Sequence, residues 1–431
     1  MSVSTPTSRP PGRGLNRLVS WSQHPGILLA MMGQTFINML GAGIVGPVLP
    51  LYAKSFGVGA AMVGLLMSAF GIARIPVNVP AGSLAERIGR KPLLVIGPLI
   101  MGVSALLTGL STSYGQVLAL RLLQGVGSAI QMTASMIVMA DISTAADRGR
   151  TMSLYQGSLL LGTSVGPIIG GFAGEHLGLQ APFFIYAALT LCAAAWAHFA
   201  VNETRGMGLE QEAPAVAPGA PSRSSTWRDG LRLLGSRDFV LVSLVTLTVF
   251  FTRTGSQNTV LPLLGSARFD IGPAKLGYAF TLIALVNLLT INAAGVICDR
   301  YGRKPAIVPS CLVCGLGLIS FTLGHSYAHF LLSCALLGVG TGIGGPAPAA
   351  YVSDLALPGG RALAMGVYRT VGDLGISVGP VLLGWISDQF SYGSALWTNA
   401  IMFVVVGLAF GFLARETRPR RACAPSAATP L

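Results

Sequence analysis

Apolar residues fall in long runs along this chain, and polar residues are confined to the short gaps between them. Twelve runs approach the roughly 20 residues that cross a bilayer as a helix, with centres at about residues 40, 70, 102, 128, 163, 191, 250, 286, 315, 340, 376 and 404. Six precede the one long polar interruption, 205–236, and six follow it. The pattern predicts an all-α membrane protein built as two six-helix bundles, 25–204 and 237–416. The linker 205–236 joins them, and tails 1–24 and 417–431 flank them. Within the linker, Ala213–Ser225 is rich in Ala, Pro and Ser and reads as flexible, whereas Trp227–Leu234 reads as a short amphipathic helix.

The two bundles are one unit written twice. Gly82-Ser83-Leu84-Ala85-Glu86-Arg87-Ile88-Gly89-Arg90-Lys91-Pro92 returns 213 residues later as Gly295-Val296-Ile297-Cys298-Asp299-Arg300-Tyr301-Gly302-Arg303-Lys304-Pro305. At the same spacing Asp141 returns as Asp354, Tyr155 as Tyr368, Gly166-Pro167 as Gly379-Pro380, and Glu203-Thr204-Arg205 as Glu416-Thr417-Arg418. Internal repeats of this length in a membrane protein point to a transporter whose site lies where the copies meet.

Composition and charge sharpen this picture. The chain is 52% hydrophobic and 10% charged, against roughly 25% charged in a soluble protein. With the N-terminus placed in the cytoplasm, 21 basic residues fall on the cytoplasmic side. Three, Lys54, Arg268 and Lys275, fall opposite. That asymmetry sets both termini inside a plasma or inner membrane, and it accounts for the net charge of +13 without nucleic acid. No cleavable signal peptide is evident before the first span. The pair Cys311 and Cys314 lies in an apolar run and reads as packing. No metal-spaced cluster, cofactor motif, nucleotide-binding loop or catalytic constellation stands out.

In the repeated loop, Gly89 and Gly302 suit a turn that a side chain would block. Arg90 and Arg303 sit at helix ends, from which they can reach Asp141 and Asp354, which end spans four and ten on the same side. Such pairs would hold each half rigid and latch the cytoplasmic face. The stretch Gly82-x-Leu84-Ala85-Glu86-Arg87-x-Gly89-Arg90-Lys91 resembles the loop signature of the major facilitator superfamily. Glu86 replaces the usual aspartate, which Asp299 keeps beside Arg300 in the second copy.

Two further stretches extend the resemblance. Span four carries Arg121-Leu122-Leu123-Gln124-Gly125, similar to a motif of proton-coupled members in which the arginine influences proton exchange. A charged side chain there is costly and is expected to face a polar cavity. Span five carries Gly162-Thr163-Ser164-Val165-Gly166-Pro167-Ile168-Ile169-Gly170-Gly171, which matches the signature of the superfamily's drug:proton antiporters. Its glycines at every fourth residue make a face for close helix approach, and the resemblance puts that helix at the seam between halves. The acid that many proton-coupled exporters carry in or near span one is missing from Gly26–Tyr52.

Asp373, in span eleven, is the acid placed deep in a span. Arg369 stands one turn away, suited to a local pair, and the resemblance brings Arg74 of span two to the same seam. These three and Arg121 are the candidates for proton coupling. Gln34, Asn38, Asn78, Gln131, Gln156, Gln257, Asn258, Asn287 and Asn292 are candidates for the cavity wall. With no site rich in fixed charge, a neutral or weakly cationic amphiphile fits best. The resemblance implies a monomeric twelve-span exporter driven by protons. A facilitator or importer of a small metabolite on the same fold stays open, as does a non-transporting sensor or scaffold.

Overall fold

The computed structural model describes residues 22, 24–144, 147–205, 207, 235–355 and 361–416. The proposed amphipathic helix at Trp227–Leu234, most of the linker and nearly all of both tails lie outside the described residues, as do the side chains of Asn292 and Asp299. Helices form where the apolar runs lie, because a backbone in hydrocarbon must satisfy its own hydrogen bonds. The first half holds spans Pro25–Val45, Ala60–Ile88, Arg90–Gly109, Tyr114–Asp141, Arg148–His176 and Ala181–Ala200. A short helix, Leu49–Lys54, links the first two.

In the second half, span seven runs from Arg237–Phe251 through a π-helical stretch, Thr252–Val260, into Leu261–Phe269. Spans eight, nine, eleven and twelve are Pro273–Tyr301, Lys304–Leu323, Arg361–Gln389 and Tyr392–Leu413. Span ten is broken into Tyr327–Gly344 and Pro346–Leu355. Large apolar side chains such as Leu289, Leu316, Val405 and Phe412 are exposed, as a surface meant for lipid requires.

The 213-residue spacing returns as repeated geometry. Tyr114 Oη donates to the Met62 carbonyl (2.8 Å), and Tyr327 Oη donates to that of Lys275 (2.9 Å). Span seven departs from it. A Cβ on Gly162 would meet Phe36 and Leu40, whereas one on Gly375 would meet Leu247 and Phe251, two residues earlier than the spacing requires. The two extra residues enter between Phe251 and Ala274, the interval that holds the π-helical stretch. Insertions in helices take this form, often at functional sites.

The halves meet along spans two and eleven and along spans five and eight. A buried apolar cluster at the end remote from the basic loops, here the far end, includes Tyr52, Ala60, Val63 and Phe183 together with Leu263 of the second half. A Cβ on Gly71 would meet Ile376 at 3.0 Å. Those on Gly64, Gly171, Gly277 and Gly384 would strike the opposite half's backbone. These contacts use the far halves of the four helices. Toward the basic end, Cβ atoms on Gly157, Gly295 and Gly366 would have nothing within 4 Å. The seam is closed at the far end and opens as a cleft toward the basic end.

Candidate functional site

The repeated loops form staples inside each half. Arg90 Nε lies 3.0 Å from Asp141 Oδ2, and Arg303 Nε lies 3.1 Å from Asp354 Oδ2. Thr204 Oγ1 also donates to Asp141 Oδ2 (3.1 Å). Both pairs join helices of the same half, so among the described residues they hold each bundle together rather than latch one half to the other. Glu86, Arg87 and Arg300 are exposed, and the nearest atom to a Cβ on Gly82 would be Thr133 Cγ2 of its own half at 3.9 Å.

Glu203 and Glu416 complete the staples, and no role was expected for either. Glu203 accepts from the backbone N–H groups of Arg90 (2.9 Å) and Lys91 (3.1 Å), the first of span three. Glu416 does the same for Arg303 (2.7 Å) and Lys304 (3.1 Å) at the start of span nine. A carboxylate is favourable at a helix N-terminus, where N–H groups lack partners. Gly89 and Gly302 have φ of 99° and 108°, and a Cβ at either would run into the capping carboxylate. Partial burial pushes the Glu203 carboxyl up. The N–H groups of Arg90, Lys91, Arg205 and Thr204 nevertheless hold it below the usual carboxylate range.

At the far end the same device joins the two halves. Asp388, near the end of span eleven, accepts from the N–H groups of Ala60 and Ala61 at the start of span two, both at 2.7 Å. Glu175, its counterpart at the end of span five, accepts from Ala274 N–H at the start of span eight (2.8 Å). The residue matching Ala60 is Pro273, which has no N–H to give. These are the hydrogen bonds that cross between the halves among the described residues.

Span five lies at the seam against span eight, but its glycine face turns to a neighbour in its own bundle. Cβ atoms on Gly162, Gly166 and Gly170 would strike Phe36–Ile44 of span one, in the same half. The four-residue stripe therefore serves packing within a bundle. Gly171, one position further round the helix, faces the seam, as does Pro167 through its carbonyl.

The charges inside the spans are more scattered than expected. Asp373 is half-buried and Arg369 exposed, and no ion pair joins them among the described residues. The Asp373 carboxylate has no hydrogen bond or ion pair among the described residues, although Arg74 lies within electrostatic reach of Asp373 and Arg369. Arg74 Nη2 points to Met132 Sδ (3.3 Å). Arg121 is half-buried. Its Nη1 donates to Gln124 Oε1 (2.8 Å), and its guanidinium lies 4.7 Å from the Phe70 ring centroid, inside the first half.

Several cavity candidates are also internal. Gln34 is fully buried and donates to the Leu94 carbonyl (2.8 Å), Gln131 packs on Gly97, and Asn38 is buried with both side-chain polar atoms unpartnered. Gln156 is exposed, and Asn78, Gln257, Asn258 and Asn287 are half-buried. Asn287 donates to Thr341 Oγ1 (3.2 Å). Cys311 and Cys314 are buried free thiols.

The sequence profile of the Major Facilitator Superfamily matches residues 31–271 and 242–430, almost the whole length. The chain belongs to the Major Facilitator Superfamily. Among relatives of this superfamily member, Multidrug resistance protein 2 of Bacillus subtilis is 26% identical over 385 residues, covering 89% of this chain and 94% of that protein. The quinolone resistance protein NorA of Staphylococcus aureus is 23% identical, covering 82% and 88%. The fold matches a bacterial homologue of the human lysosomal transporter Spinster, solved in an inward-facing and unoccupied conformation. The TM-score is 0.74 at 16% identity, covering 93% of this chain and 97% of that one. As a superfamily member the protein is a secondary transporter, and its far-end closure gives the access of one state.

Proposed function

We propose that this protein exports a small amphiphilic organic compound in exchange for protons by alternating access. It works as a monomer in the inner membrane with both termini in the cytoplasm. The described conformation is then the inward-open one, and the far-end caps are the contacts that must part to release substrate outside. The resemblance of the chain to multidrug and quinolone resistance proteins supports a drug-like class of compound. The observation that carries the coupling is Asp373, a carboxylate deep in a span, half-buried and unpaired beside the charge of Arg74. Its charge state depends on whether the cleft is filled with water or closed upon Arg74, which links proton exchange to the rocking of the halves.

The test is substrate-stimulated proton flux in proteoliposomes. Asp373→Asn is expected to lose proton-driven accumulation while still binding substrate, and Arg74→Ala to shift the pH dependence. Full coupling in a folded, substrate-binding Asp373→Asn protein would remove the assignment.

A further inference from the structure

We propose that the π-helical stretch of span seven is an anion-recognising wall of the cleft, and that the transported amphiphile carries one anionic group. The proposal rests on the export reading above and names its substrate class. Thr252 and Ser256 are held by Asn399 of span twelve, whose Nδ2 lies 3.0 and 2.6 Å from their hydroxyls. Thr254 Oγ1 reaches the Ile376 carbonyl (3.4 Å), and Gly255 lies against Gly379, both in span eleven. Two faces of the stretch are thus covered. Arg253, Gln257 and Asn258 occupy the remaining face.

Arg253 is exposed on a stretch that touches span two of the other half as well as spans eleven and twelve of its own, which describes a cleft wall better than a lipid-facing position. Gln257 and Asn258 are half-buried, and none of the three has a hydrogen-bond or ion-pair partner among the described residues. The wide turn, in which Thr259 Oγ1 reaches the carbonyl of Thr254 five residues back, puts a guanidinium and two amides on one short surface. All three can donate hydrogen bonds, and a guanidinium suits a carboxylate or sulfonate.

The charges inside the spans point the same way. Among the described spans, Asp373 is the one acid well inside a helix, whereas four arginines, Arg74, Arg121, Arg253 and Arg369, lie inside theirs. Arg121 is occupied inside the first half. Arg74 lies within electrostatic reach of Asp373 and Arg369, whereas Arg253 has no ion-pair partner among the described residues. Uncompensated cations in a membrane interior are costly and are typically found where an ion or ligand supplies the missing charge. The expectation of a neutral or weakly cationic substrate is replaced for this reason. It treated the run around residue 250 as apolar and gave Arg253 no partner to seek.

The test compares three probes with one ring system and different charge: 1-naphthoate, 1-naphthamide and 1-naphthylmethylammonium. Binding to the purified full-length protein is measured by equilibrium dialysis. The naphthoate is expected to bind at least about tenfold tighter than the other two. Arg253→Gln is expected to erase the preference, and Arg253→Lys to keep part of it; size-exclusion profiles establish that both variants are folded. Equal or tighter binding of the amide or ammonium probe overturns the proposal. So does a preference that survives Arg253→Gln, or no binding of naphthoate at millimolar concentration. Proton flux with the same probes in proteoliposomes separates the two readings. A preferred naphthoate that moves no protons defeats the export reading and leaves the site. An ammonium probe exported against protons and bound as tightly as naphthoate defeats the site and leaves export.

Discussion

At both ends of the bundle a carboxylate sits on the first N–H groups of a helix, but the two ends join different things. At the basic end, Glu203 and Glu416 cap helices of their own half, beside the Arg90–Asp141 and Arg303–Asp354 pairs. At the far end, Asp388 and Glu175 cap helices of the opposite half. A bond within a rigid body can be strong without hindering transport, because it never breaks in the cycle. A bond between bodies must be weak enough to part. The basic end accordingly adds a largely covered ion pair to each cap, whereas each far-end cap has a carboxylate and one or two N–H groups. The same chemistry supplies rigidity in one place and reversibility in the other.

The largest effect should follow from breaking a staple. Arg90 and Asp141 side chains are 13% and 12% exposed, so Arg90→Ala leaves a carboxylate with little water to replace its partner. A loss of about 3 kcal/mol is expected, read as a lowered thermal midpoint of the purified protein. Asp354 is 30% exposed, so Arg303→Ala should cost less. If the two variants are equally destabilised, covered pairing is not what holds the first half.

Breaking the far-end caps should leave stability nearly intact and shift conformation instead. Asp388→Ala combined with Glu175→Ala is expected to change the ratio of far-end-closed to far-end-open protein by about 1–3 kcal/mol, roughly 5–150-fold. Distances between spin labels on spans two and eleven at the far end would report it. Asp388→Ala alone should do more than Glu175→Ala, since Asp388 has two N–H partners and Glu175 one. Pro273→Ala offers Glu175 a second N–H and should favour the closed far end. An unchanged distance distribution in the double variant would mean that the apolar cluster around Leu263 closes this end unaided.

Much of this was legible in the sequence, for identifiable reasons. The twelve spans follow from run length alone. The Arg90–Asp141 and Arg303–Asp354 pairs follow from a repeat that keeps both partners and puts them at helix ends on one side. Glu203 and Glu416 were visible as repeated residues, but their partners are backbone N–H groups, which leave no mark in a sequence. The far-end caps were hidden for the same reason, and because Glu175 and Asp388 are different residue types. The glycine stripe of span five showed that a helix approaches closely without saying which one; span one does, on the face adjoining the seam. Arg253 was obscured because the π-helical stretch moves span seven two residues off the repeat. An even helical spacing could not tell which residues share its open face.

The smallest effect concerns Glu203 and is read through pH. Partial burial raises this carboxyl, yet four backbone N–H donors outweigh it and hold the folded-state value low. A depressed folded value means that the cap's contribution is complete above the unfolded value of about 4.3 and fades as pH falls through the folded one. Glu203 is exposed, so solvent screens the effect and the loss should be slight. Glu203→Gln keeps one oxygen acceptor and brings an amide NH2 toward N–H groups that need acceptors. It should therefore be less stable than the parent at neutral pH and should converge with it under acid. Thermal midpoints of both proteins between about pH 7 and about pH 3.5 would show this. A gap that stays constant over that range would mean that the ionised carboxylate contributes nothing, and that only the positive φ of Gly89 and the Arg90–Asp141 pair shape the turn.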